Sequence, residues 1–134
     1  MRNRKLIVVA GLVALAGVLR FATIDVQSYW YDEALTATLL RAPFGHMISE
    51  LPRAELTPPL YYVLAWVWTR AFGSFEIGLR SFSAVAGVAT IPVAYLVGRD
   101  LVGRRVGITL AALTACNPLL VWYSQEARPY ALWV

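Results

Sequence analysis

Apolar residues gather into three long runs. Leu6 to Ile24 is interrupted by little besides Arg20, while Ser81 to Val97 and Val106 to Tyr123 are rich in Ala, Val, Leu and Gly. A hydrocarbon core of about 30 Å needs about 17–25 helical residues, so each run is long enough to span. A fourth run, Leu60 to Phe72, is shorter, holds two Trp and a Tyr pair at its start, and is broken by Thr69 and Arg70. Runs of about 10–14 residues rich in Trp and Tyr suit the headgroup level instead. No strand-like alternation and no internal repeat stand out. The pattern predicts an all-α, polytopic membrane protein with three transmembrane helices and interfacial helices in one large loop.

The basic start Arg2, Arg4, Lys5 precedes the first run, as in a signal peptide. Ala14-Leu15-Ala16-Gly17 as a cleavage site leaves too short an apolar region, so an uncleaved helix is preferred, with Arg20 snorkelling to the interface. Charge then orients the chain, because Lys and Arg in short loops mark the cytoplasmic side. Arg2, Arg4, Lys5 and Arg99, Arg104, Arg105 are the two basic clusters, and an even number of crossings must separate them. The reading is a transmembrane helix over 6–24, an extracytoplasmic loop over 25–79, a helix over 80–98, a cytoplasmic loop over 99–105, a helix over 106–123, and the start of a second outer loop over 124–134. The amino terminus is cytoplasmic. Six of the eight acids, Asp25, Asp32, Glu33, Glu50, Glu55 and Glu76, fall in the first outer loop. Within it, Asp32 to Arg41 reads as a short helix with acids at its first turn and Arg41 at its last, Gly45 to Leu51 as a second piece, and Pro58-Pro59 as the entry to the aromatic segment.

Composition agrees: 59% of residues are hydrophobic and 15% charged, which excludes a disordered chain and a well-solvated domain. The net charge of +4 comes from dispersed cations beside apolar runs, so a nucleic-acid partner is set aside. One cysteine and one histidine, Cys116 and His46, leave no internal disulfide and no zinc spacing. The 134 residues end in an apolar stretch without a helix stop, which reads as the amino-terminal part of a larger enzyme.

Two groups carry candidate chemistry. Asp32-Glu33 follows Tyr29-Trp30-Tyr31 just past the first helix, where a carboxylate can serve as general base to a hydroxyl arriving from water. Capping of the following helix by Asp32 is the plainer role, and the two are compatible. Tyr123 to Tyr130 offers Gln125, Glu126, Arg128 and two phenols, a set that suits a phosphate or simply anchors a membrane edge. Arg80, at the outer end of the second span, is either a phosphate ligand or a snorkelling cation. Tyr61, after Pro58-Pro59, stands between the two carboxylate regions.

Tyr31-Asp32-Glu33, Pro58-Pro59-Leu60-Tyr61-Tyr62, Leu79-Arg80-Ser81-Phe82-Ser83-Ala84, Gly98-Arg99 and Tyr123-Ser124-Gln125-Glu126-Ala127-Arg128-Pro129-Tyr130-Ala131-Leu132 occur in an order that resembles bacterial glycosyltransferase-C enzymes. The likeness is nearest to glycosyltransferase family 39, the protein O-mannosyltransferase and lipid A aminoarabinose transferase group, and covers nearly the whole chain. It implies an inverting glycosyltransferase that moves mannose or a related hexose from a polyprenyl-phosphate-sugar donor to a hydroxyl of a protein, lipid or glycan acceptor at the outer membrane face. By the same resemblance Asp32, with Glu33 beside it, is the catalytic base, and Arg80, Glu126, Arg128, Tyr61 and Tyr130 bind substrate. No cofactor is required; related oligosaccharyltransferase subunits hold a divalent metal, for which Asp32 and Glu126 are the matching pair. The competing class is a non-catalytic membrane protein or transporter fragment whose outer loop binds a partner. Transporters place charge near the midplane, whereas these spans carry theirs at the outer ends.

Overall fold

The computed structural model describes residues 2–54 and 57–133, with the side chains of the first helix from Ile7 onward. The cationic side chains of Arg2, Arg4 and Lys5, and Glu55 and Val134 of the expected loops, lie outside the described residues. Eight helices follow in order among the described residues: α1 (Arg2–Phe21), α2 (Tyr31–Arg41), α3 (Phe44–Ala54), α4 (Leu60–Phe72), α5 (Glu76–Leu101), α6 (Arg104–Cys116), α7 (Pro118–Ser124) and α8 (Tyr130–Trp133). No strand occurs among them.

Among the described residues, α5 is the one helix of the three expected spans that is long and apolar enough to cross a bilayer unaided. The run from Val106 to Tyr123 is not one helix. It breaks at Asn117, and α6 and α7, which reach spanning length only together, meet at 58°. The cause is local: Pro118 has no N–H to donate to the α6 carbonyls, and the Asn117 side chain accepts from the N–H groups of Leu119 and Leu120, starting a new helix. The helix α1 stops at Phe21 rather than running to Ile24.

α5 is the central post, packed against α1, α4, α6, α7 and α8. Where it meets α1 and α6 the buried side chains are small or branched, namely Ala16, Ile91, Ala111 and Ala115. Small residues let helix backbones approach where lipid removes the hydrophobic drive. A second core lies at one end, where Leu40 of α2, Met47 and Leu51 of α3, Tyr61, Tyr62 and Ala65 of α4, Leu79 of α5 and Ala127 meet. The helix expected from Asp32 is α2, and the piece expected over Gly45 to Leu51 is the core of α3. α4 matches the aromatic segment residue for residue and, at 13 residues, rises about 20 Å, too little to cross. It buries Tyr61, Tyr62, Ala65 and Thr69 and leaves Leu64, Val67 and Phe72 exposed.

Candidate functional site

The site is assembled around a buried ion pair. Glu33, at the third position of α2, is 1% exposed, and Arg80, in the second turn of α5, is 3% exposed. Arg80 Nε donates to Glu33 Oε1 at 2.9 Å and Nη2 to Oε2 at 2.6 Å. Its Nη1 donates to the carbonyls of Ile24 and Gln27, and Nη2 also to that of Ser28. All five guanidinium N–H groups are therefore engaged inside the protein. Glu33 is equally occupied, since its oxygens also accept from the backbone N–H of Trp30 at 3.1 Å and of Ala127 at 2.7 Å. Burial pushes the Glu33 carboxyl up, but the bonds from Arg80, Ala127 and Trp30 outweigh it and hold the group below the usual carboxylate range.

This knot joins three distant parts of the chain. Trp30 to Glu33 belongs to the first expected outer loop, Arg80 to the head of the central helix, and Ala127 to the second outer loop. Because the Ala127 N–H points inward to Glu33, its neighbours Glu126 and Arg128 flank the knot on the open side. There a groove of about 430 Å³ is lined by Trp30, Asp32, Glu33, Trp122, Tyr123, Glu126, Arg128 and Tyr130. A smaller pocket of about 110 Å³ adjoins it and shares Trp30, Trp122 and Glu126.

Asp32 is exposed on this groove. Its carbonyl accepts from the Thr36 hydroxyl, and its carboxylate makes no hydrogen bond among the described residues. Asp32 does not cap α2, as the plainer reading had it: the cap position is Trp30, and the acid reaching back to its N–H is Glu33. Glu126 is half-buried and accepts from Trp122 Nε1 at 2.7 Å. Burial, together with the nearby Glu33 charge, pushes its carboxyl above the usual range, against the opposing Trp122 bond. The Arg128 guanidinium lies 6.0 Å from the Tyr130 ring, which in turn packs against Tyr123 at 4.9 Å.

The sequence-derived set thus divides. Asp32, Glu126, Arg128 and Tyr130 come together on one groove, with Glu33 and Arg80 joined beneath it. Tyr61 stands apart, 1% exposed in the second core with its hydroxyl 3.4 Å from that of Ser83. The divalent cation expected between Asp32 and Glu126 has those two carboxylates on the groove, while Glu33 is held by four hydrogen bonds from three partners, Arg80, Trp30 and Ala127. Among the described residues no group of three or more His, Cys, Asp or Glu side chains gathers in one place.

Three residues of this region were not singled out for it by the sequence: Trp30, Trp122 and Arg20. Arg20 does not snorkel. It is fully buried, with Nε on Ser124 Oγ at 3.2 Å and its other nitrogens on the carbonyls of Ala16, Ala115 and Thr114. The signal that would have found it is Asn117-Pro118, a turn dipeptide inside an apolar run, whose freed carbonyls need a donor.

A family model described as dolichyl-phosphate-mannose-protein mannosyltransferase matches residues 57–134. No curated protein and no solved structure matches the chain.

Proposed function

The chain belongs to the dolichyl-phosphate-mannose-protein mannosyltransferase family, and from that premise we propose that its groove is where a sugar leaves a polyprenyl phosphate for an acceptor hydroxyl. The observation that carries this reading is the exposed Asp32 carboxylate facing Glu126, Arg128 and Tyr130 across one groove. A sugar on a lipid phosphate already has a competent leaving group, so the protein's task is to orient the acceptor, take its proton and receive the phosphate charge.

Asp32 is the base in this scheme: its carboxylate is exposed and accepts no hydrogen bond among the described residues. The acceptor oxygen attacks the anomeric carbon, the carbon–oxygen bond to the phosphate breaks, and the acceptor proton passes to Asp32. Arg128 is the cation on the groove side and faces the departing phosphate, for which a guanidinium fork is suited. Arg80 and Glu33 serve as positioning residues, since their hydrogen-bonding groups are occupied with each other and with backbone. A single displacement inverts the anomeric centre, by the geometry that separates inverting from retaining glycoside hydrolases.

The setting proposed is a multi-pass membrane protein with the groove on the outer face and the amino terminus in the cytoplasm. α5 crosses, the bent α6–α7 pair returns the chain to the groove side, α1 supplies the first crossing, and α4 lies at the interface. The test is transfer of mannose from a polyprenyl-phosphate-mannose donor by the full-length protein in membranes. Asp32→Asn lowers the rate by about 10²–10⁴-fold with membrane insertion intact, the range expected for loss of a general base. Transfer by that variant at near wild-type rate would remove Asp32 from the role.

A further inference from the structure

Beside the groove, Arg20 of α1 caps the end of α6, and Gln125 at the end of α7 caps the end of α1. The break at Pro118 leaves carbonyls at the end of α6 without their helical donors. Pro118 has no N–H for the Thr114 carbonyl, and the Leu119 N–H that would serve Ala115 is turned to Asn117 Oδ1. Arg20 of α1 supplies both, with Nη1 on Ala115 O at 3.2 Å and Nη2 on Thr114 O at 3.3 Å. In the other direction, the carbonyls at the end of α1 receive Gln125, which follows α7. Gln125 Nε2 donates to Leu19 O at 3.1 Å, Arg20 O at 3.3 Å and Thr23 Oγ1 at 2.9 Å.

We propose that Arg20 and Gln125 are positioning residues for the transfer reaction, which fix the second-loop half of the groove, Glu126 and Arg128, against the first-loop half that carries Asp32. This rests on the groove's being the reaction site as read above. Three observations carry it. A wholly buried guanidinium is a costly way to cap two carbonyls that Ser, Thr or water could serve, and none of its partners is a carboxylate. Its Nε holds Ser124, and Ser124, Gln125, Glu126 and Ala127 are consecutive, so the staple and the Glu33–Ala127 bond grip the segment from both sides of Glu126. Gln125 also lines the small pocket with Trp30, Trp122 and Glu126, which places the staple in the wall of the site.

The experiment separates geometry from activity in the full-length protein with Cys116→Ala. Val26→Cys and Trp122→Cys report geometry, because both positions line the small pocket from opposite halves. Their yield of cross-link with a short bifunctional maleimide falls several-fold on adding Gln125→Ala or Arg20→Met, and Arg20→Lys restores part of it. Mannose transfer, measured with the native residues at 26 and 122, loses tenfold or more in kcat with KM for the polyprenyl-phosphate-mannose donor changed less than threefold. Should Arg20→Met fail to insert, Gln125→Ala, a half-buried amide removed from the surface, carries the test alone. Unchanged cross-linking in Gln125→Ala and Arg20→Met, or in Gln125→Ala alone where Arg20→Met does not insert, overturns the staple. Lost cross-linking with unchanged kcat overturns its link to the reaction. Neither result bears on Asp32, whose role is decided by Asp32→Asn.

Discussion

Arg80 holds Glu33 across 47 residues of sequence with two hydrogen bonds of 2.6 and 2.9 Å, both side chains nearly sealed from solvent. A buried pair of this kind is weak evidence of net stability, but removing one partner strands the other. Glu33→Gln leaves the Arg80 charge without its counter-ion, and a loss of about 3–5 kcal/mol follows. Arg80→Lys should lose nearly as much, because an ammonium has three donors for the five acceptors that Arg80 serves. Thermal unfolding of the detergent-solubilised protein measures both, and a change within about 0.5 kcal/mol, the scatter of ordinary surface substitutions, would deny the pair its structural role.

The same pair sets a pH dependence. The Glu33 carboxyl titrates lower in the folded protein than its ordinary 4.5, so the unfolded chain binds its proton first as pH falls. Its stabilisation is therefore complete above about pH 4.5 and is lost as pH drops toward and through the depressed folded value. The difference in melting temperature between wild type and Glu33→Gln should be flat from pH 7 to 5 and shrink below 4.5. A difference that grows on acidification has the wrong sign for this carboxylate.

Gly87 sits where α5 passes the Arg20 staple. A Cβ there runs into Ser124 Oγ, and comes within 2.8 Å of Ser124 Cβ and 3.0 Å of Arg20 Nε. Gly87→Ala should cost about 1–3 kcal/mol as an overpacked contact. Gly11→Ala on α1 meets nothing within 4 Å and should be neutral or gain about 0.5–1 kcal/mol from helix propensity. Parallel unfolding curves decide it, and equal effects at the two glycines would place the close contact elsewhere.

Periodicity and punctuation made much of the fold legible. The aromatic helix Leu60–Phe72 and the helix ending at Arg41 are found where the pattern put them, and Asp32, Glu126, Arg128 and Tyr130 share a groove although almost 100 residues separate the first from the rest. What was illegible is pairing at a distance. A charge near the end of an apolar run reads as a snorkelling cation whether it faces lipid headgroups or, like Arg20, the orphan carbonyls of another helix. Asp32 and Glu33 are adjacent carboxylates in sequence, yet successive helical positions point about 100° apart, which sends one to solvent and the other to Arg80. The break at Asn117 was hidden for a different reason: apolar residues continue on both sides of it, so hydropathy registers one run while the missing Pro118 N–H ends the helix.

The proposed topology, with the groove on the outer face, can be checked without activity. α5 is 26 residues long, about 39 Å of rise, enough to cross a bilayer, and the proposed setting puts its two ends on opposite faces. α3 and the groove lie toward the Glu76 end, where Leu79 packs with Met47, Leu51 and Ala127, and the turn before α6 lies at the Leu101 end. Arg99, Arg104 and Arg105 gather at that second end, which is the cytoplasmic one in the proposed setting by the positive-inside rule. In a Cys116→Ala background, Ser49→Cys and Arg104→Cys put one thiol on each side at exposed positions. A membrane-impermeant maleimide should label Ser49→Cys in intact cells and reach Arg104→Cys only after permeabilisation. The reverse pattern would put Asp32 and Arg128 on the cytoplasmic face, and labelling of both in intact cells would mean that α5 does not cross.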